Sequence, residues 1–131
     1  MADYKAPLRD MRFVLNELHG SVEALPGQED FTPDIADAIL EEASKFCTER
    51  LLPLNASGDE EGCRLENGVV RTPKGFPEAY KAFREGGWTA MGADPAYGRH
   101  GPPARIHTPV ADTILPTYPS LCPPPGFRSR P

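Results

Sequence analysis

The sequence predicts an all-α fold: a partial helical bundle of about three helices that carries a small β-hairpin and ends in a disordered, Pro-rich C-terminal tail. Three observations predict it. Leu8, Met11, Leu15 and Leu18, and later Ile35, Ile39, Ala43, Phe46, Cys47 and Leu51, recur near steps of three and four, the period of a helix with one buried stripe. Asn67-Gly68 lies between two short runs, Arg64-Leu65-Glu66 and Val69-Val70-Arg71, in the pattern of a two-residue hairpin turn. Nine of the sixteen prolines fall between Pro102 and Pro131, where a missing backbone donor disfavours both helix and sheet.

Taken in order, Pro7 suits a first helical turn, and the stripe from Leu8 runs to His19, with Gly20 as the stop and Asp10, Arg12 and Glu17 on the wet side. The second helix has the strongest start signal. Thr32 is placed to cap the free amides, Pro33 to occupy the first helical position and Asp34 to meet the positive end of the dipole. Its wet face carries Glu41, Glu42, Lys45, Glu49 and Arg50, and Pro53 ends it near Leu52. Residues 55–72 turn polar around the hairpin. Pro77 then opens a short third helix with Ala79, Tyr80 and Phe83 inward, and Gly86-Gly87 ends it by permitting positive φ. A Gly- and Pro-rich turn follows from Gly92 to Gly101. The organisation read from this is an extension helix and linker over 1–31, a helical domain over 32–98 and an irregular Pro/Arg-rich tail over 99–131.

Composition narrows the function. A chain of 131 residues buries only about two-thirds of its unfolded surface, and a mean hydropathy of −0.46 leaves little apolar material to spare. The net charge of −5 argues against nucleic acid and anionic lipid, both of which attract surplus Lys and Arg. The opening Met1-Ala2-Asp3-Tyr4-Lys5 lacks a secretory pattern, so the expectation is a soluble, cytoplasmic protein with no membrane partner. Cys47, Cys63 and Cys122 are widely spaced, with no Cys-x-x-Cys, and are read as unlinked thiols. His19, His100 and His107 are scattered.

No site emerges from these residues. Glu41-Glu42 and Asp59-Glu60-Glu61 are read as a solvated face and loop, because a catalytic carboxylate needs burial or an organised partner. Gly86-Gly87 and Gly98 to Gly101 are read as turns, since neither follows the spacing of a phosphate loop. Pro102-Pro103 and Pro123-Pro124-Pro125 lack the repeated P-x-x-P of a docking ligand.

A family comes into view through combined motifs. Phe46, Glu49, Leu52-Pro53-Leu54-Asn55, Asp59, Gly75-Phe76-Pro77, Phe83, Gly86-Gly87-Trp88 and Pro95-Ala96-Tyr97-Gly98 resemble, in order and spacing, the N-terminal domain of acyl-CoA dehydrogenases. Tyr4 to Phe13 resembles the short extension of a bacterial subgroup similar to the methylthiopropanoyl-CoA dehydrogenases. The resemblance implies an oxidoreductase of fatty acid metabolism in three parts, with FAD held by the middle and C-terminal domains and a C-terminal glutamate as base. It implies acyl-CoA as substrate of the full-length enzyme. No catalytic, cofactor-binding or metal-binding residue of that machinery maps onto this chain, so the expectation is a truncated, inactive segment that binds no FAD alone. In the family the N-terminal helices flank the substrate cavity; Trp88, Tyr80 and Phe83 are candidates for an acyl-chain wall, although core packing is the more ordinary role.

The pattern breaks where the family continues Tyr-Gly-Gly-x-Gly-Leu-Pro and this chain has Tyr97-Gly98-Arg99-His100-Gly101-Pro102-Pro103. Residues 1–98 hold 18 of the 19 acids, and composition shifts at the same point. The expectation is an out-of-frame tail beginning near codon 98 or 99. The alternative reading is a small helical interaction module without catalysis, docking on a companion chain or on itself through exposed apolar faces.

Overall fold

The computed structural model describes residues 4–18, 20, 31–91 and 104–117. α1 spans Leu8–Arg12 and runs on as a π-helical segment, Phe13–Leu18. Leu15 is buried and Leu8 and Met11 are packed against the core, as the stripe predicts, but Leu18 is 61% exposed.

α2 spans Pro33–Phe46 and has Pro33 in its first turn. Thr32 stands at the cap position with extended ψ, and its carbonyl accepts from Ile35 and Ala36 N–H at 3.1 Å each; its side chain makes no capping bond, contrary to the sequence reading. The helix also does not end at Leu52. A π turn, Cys47–Leu51, carries it into α3, Leu52–Glu61. Leu52 N–H reaches back to Cys47 carbonyl, five residues away. Widening the helix there relieves the clash that the Pro53 ring would make with a carbonyl four residues back, and Pro53 becomes a first-turn residue of the next helix.

The hairpin forms as read. β1, Arg64–Glu66, pairs antiparallel with β2, Val69–Arg71, in the register Leu65 opposite Val70. Asn67 and Gly68 both take positive φ, 51° and 79°, the geometry of the tight primed turn. Both strands lie exposed. α4, Phe76–Glu85, buries Ala79 and Phe83, whereas Tyr80 is 49% exposed and does not face inward. A single 3-10 turn, Trp88–Ala90, follows.

The largest departure lies in the tail. Residues 104–117 are not irregular: α5, Ala104–Thr117, is helical with Pro109 and Pro116 inside it, and it packs on α2 and the π turn. Ile106, Val110, Thr113, Ile114 and Thr117 are buried. They recur at intervals of four, three, one and three, which is one helical stripe. A proline inside a helix costs about 3 kcal/mol, so Pro109 and Pro116 together cost about 6 kcal/mol, and burial of Ile106, Val110 and Ile114 at roughly 1.5–3 kcal/mol each is of the same size. Residues 99–103 and 118–131 lie outside the described residues.

The core is therefore α2 at the centre, with Ala36, Leu40, Ala43, Cys47 and Leu51 against Ile106, Val110 and Ile114 of α5, Leu15 on one flank and Ala79 and Phe83 on the other. Among the described residues no helix is long and apolar enough to cross a membrane.

Candidate functional site

α2 has two apolar faces. The one turned to α5 is closed. The other, one step around the helix, carries Ile35, Ala38, Ile39 and Phe46 and opens into a groove of about 770 Å³. The opposite wall is built by Ala82, Gly86, Gly87, Trp88 and Met91, and Phe31 closes one end. The lining is apolar except at Glu42 and Arg50, both exposed at the rim. Ile39 and Phe46 are half-buried and pack against the core as the sequence stripe predicts, while also lining the groove; Ile35 departs from the stripe, at 43% exposure.

Aromatic packing fixes the groove floor. The Phe46 ring lies 6.1 Å from Phe83 and 6.2 Å from Trp88, tilted by 38° and 35°, within the range of favourable ring pairs. Gly86 and Gly87 set Trp88. Gly87 has φ of 76°, which turns the chain out of α4. At Gly86 a Cβ would stand 2.6 Å from Trp88 Nε1, so the indole lies over bare backbone there. Of the three aromatics proposed as an acyl wall, Trp88 and Phe83 thus meet through Phe46, with Trp88 on the groove wall, and Tyr80 is outside the groove lining.

A second groove, about 600 Å³, runs between α1 and α5 over Met11, Val14, Leu15, Pro109 and Pro116, with Asp10, Arg105 and Asp112 at its edges. α1 is pinned to α2 beside it. Arg12 bridges two carboxylates one turn apart, Asp37 at 3.0 Å and Glu41, which stays on the exposed face as the sequence predicts. The hydrogen bond to Glu41 is the first cause of a raised Arg12 pKa.

The remaining sequence candidates do not converge. Glu61 accepts from Lys74 N–H at 3.0 Å, joining the end of α3 to the loop before α4, and Asp59 and Glu60 are exposed. Cys47 and Cys63 are free thiols, buried and exposed respectively. Burial pushes the Cys47 thiol up to about 11, partly opposed by the Thr117 hydroxyl, which leaves it an unreactive core residue. Tyr4 is likewise raised, first by burial and then by Cys47 and Asp112. Among the described residues no group of three or more His, Cys, Asp or Glu could hold a metal ion. His107 lies on α5; His19, His100, Cys122, Gly98 to Gly101 and the proline pairs and run lie outside the described residues.

The groove's polar side chains are the exposed Glu42 and Arg50, whereas a dinucleotide pyrophosphate and the polar edge of an isoalloxazine call for several converging donors. The lining side chains of this groove do not supply such a set of donors.

No protein-family model matches the chain. It is similar to the 3-methylmercaptopropionyl-CoA dehydrogenase of Ruegeria pomeroyi, 37% identical over 113 residues, which cover 85% of this chain and 19% of that protein. The chain thus spans about a fifth of the length of the curated relative it matches. Residues 1–98 are only about three quarters of the chain, so a match covering 85% runs on past Gly98. The core-packed α5 corrects the irregular structure expected of the tail, over residues 104–117.

Proposed function

We propose that this chain is an N-terminal helical segment of an acyl-CoA dehydrogenase-type flavoprotein and that the groove beside α2 forms one wall of an acyl-thioester cavity completed by other parts of that enzyme. The observation that carries the reading is the 37% identity to a CoA-thioester dehydrogenase along 85% of the chain. The apolar groove walled by Trp88 and floored on Phe46 supports it, because an aliphatic chain gains about 0.8 kcal/mol per methylene removed from water.

In this reading the helices bind and exclude water; the redox step belongs elsewhere. Oxidation of an acyl thioester needs a base at the α-carbon, a polarised carbonyl and a hydride acceptor, all in contact. FAD would supply the acceptor when bound. Here Glu42 is a rim carboxylate exposed to solvent, without the burial that would fit it to act as a base.

The test is reconstitution. The 131-residue chain is incubated with FAD, desalted and scanned between about 350 and 500 nm, alone and after co-expression with a chain corresponding to the rest of the relative. The expected result is flavin absorption only for the pair. Stoichiometric flavin on the chain alone overturns the claim that the site lies elsewhere, and failure of the two chains to associate overturns the assignment as that segment.

A further inference from the structure

The two ends of the groove beside α2 differ in charge. Its lining runs along the helix from Ile35 through Ile39 and Phe46 to Arg50, a length of about 20 Å. Phe31 closes the end beside Ile35. That end already holds a negative charge, because Asp34 stands in the first turn of α2. At the other end Arg50 is exposed, and among the described residues it belongs to no salt bridge; the ion pairs formed are those of Arg12, Arg71 and Lys81. Glu42 lies on the rim between the two ends.

We infer that the groove takes its ligand in one orientation, methyl end at Phe31 and anionic head group on Arg50, so that Arg50 is the residue that orients it. This rests on the groove being an acyl wall, as the proposed function has it, and adds the polar contact that holds the other end of the ligand. An aliphatic chain with an anionic head makes two demands, and the groove meets them in separate places: apolar side chains along its length and a cation at one end. In the reverse orientation the charge would come to Phe31 and Asp34, where desolvation and like charge both oppose it. Glu42 repels an anion from the middle of the rim, which leaves the head one favourable place. A guanidinium suits either head such a ligand carries, because its fork of donors matches a carboxylate and a phosphate alike. The shared chemistry is therefore an anionic-headed acyl chain, with a fatty carboxylate and an acyl-CoA as its two sources.

The experiment reads the emission of Trp88, the single tryptophan of the 131-residue chain, which stands on the groove wall. The chain is titrated with dodecanoate, dodecanoyl-CoA, dodecanol and dodecylammonium, each below its micelle-forming concentration, with circular dichroism to establish that each variant is folded. The wild type is expected to bind at least one of the two anions roughly threefold or more tightly than dodecanol, the gain of one exposed charge-assisted contact. Preference for dodecanoate alone identifies a carboxylate head, and preference for dodecanoyl-CoA alone identifies the phosphates. Arg50→Gln is expected to remove the anionic advantage and to leave dodecanol binding as it was, and Arg50→Glu to transfer the advantage to dodecylammonium. Orientation is read separately. Trp88 packs on Phe46, close to Arg50 and several turns from Phe31, so dodecanoate brominated beside its head is expected to quench it more than dodecanoate brominated at its methyl end. No binding of any probe, dodecanol bound as tightly as both anions, Arg50→Gln equal to the wild type, or stronger quenching from the methyl end overturns the inference. Any of these together with flavin on the co-expressed pair leaves the flavoprotein reading standing, whereas Arg50-dependent binding with no flavin on the pair overturns that reading and supports the inference.

Discussion

The two apolar faces of α2 differ in what covers them. On the side of Ala36, Leu40, Ala43, Cys47 and Leu51, the chain supplies its own cover in α5, and all five residues are buried. On the side of Ile35, Ile39 and Phe46, the cover is partial, and the groove toward Trp88 stays open. One helix thus holds a face used for folding next to a face available for recognition, and side-chain polarity alone does not tell them apart. The difference is whether a later segment of the same chain has a matching stripe.

Breaking the closed face should give the largest effect. Val110→Asp sets an unpaired carboxylate in the α2–α5 contact and is expected to cost on the order of 3–5 kcal/mol. Amide exchange over 104–117 would then approach that of an unprotected chain; protection equal to wild type would mean that α5 does not rest on α2. Leu40→Ala, at a position with no exposed surface, is expected to lower stability by about 2–5 kcal/mol, read as a shift of the urea midpoint.

The thiol at Cys47 sharpens the contrast through pH. Its folded pKa of about 11 lies above its ordinary value of 9.0, so the folded state holds the proton more tightly than the unfolded one. Its contribution is therefore fully present below pH 9 and is lost as pH rises to about 11, a change of at most about 2–3 kcal/mol. Melting temperature followed from pH 8 to 11 should fall more steeply in the wild type than in Cys47→Ala. A thiol reagent at pH 8 should modify Cys63 and spare Cys47 until the chain unfolds.

The open face should respond least. Ile35→Ser, at 43% exposure, is expected to change stability by less than about 1 kcal/mol. A loss as large as that of Leu40→Ala would mean that the groove face is as much a part of folding as the closed one. Arg12→Ala removes the bridge to Asp37 and Glu41 and should loosen α1, seen as faster proteolysis near Phe13 with little change in the melting of α2.

Much of the architecture is legible in the residues. Pro33 marks the start of α2, Asn67-Gly68 the hairpin, and Gly87 the exit from α4, because each is tied to a backbone conformation that few other residues accept. The family resemblance, carried by motifs such as Gly86-Gly87-Trp88, agrees with the similarity to a CoA-thioester dehydrogenase. The groove was less legible. The residues point to Trp88 as a wall and to Phe46 as packing inward, and the structure has both; they also point to Tyr80, which lies outside the groove lining. A signal for α5 was also present: Ile106, Val110, Ile114 and Thr117 follow helical spacing, and proline content outweighed it.

By itself, then, the sequence determined the helical class, the hairpin register and most element starts, since these depend on local φ preferences and on the period of apolar residues. Tertiary structure decided the rest. A proline at position 53 reads as a stop until a π turn makes room for it, and prolines at 109 and 116 read as breakers until α5 has α2 to pack against. Which face of α2 is core and which is groove was decided in the same way. Local rules state what a segment costs, and only the surface it meets states what that segment gains in return.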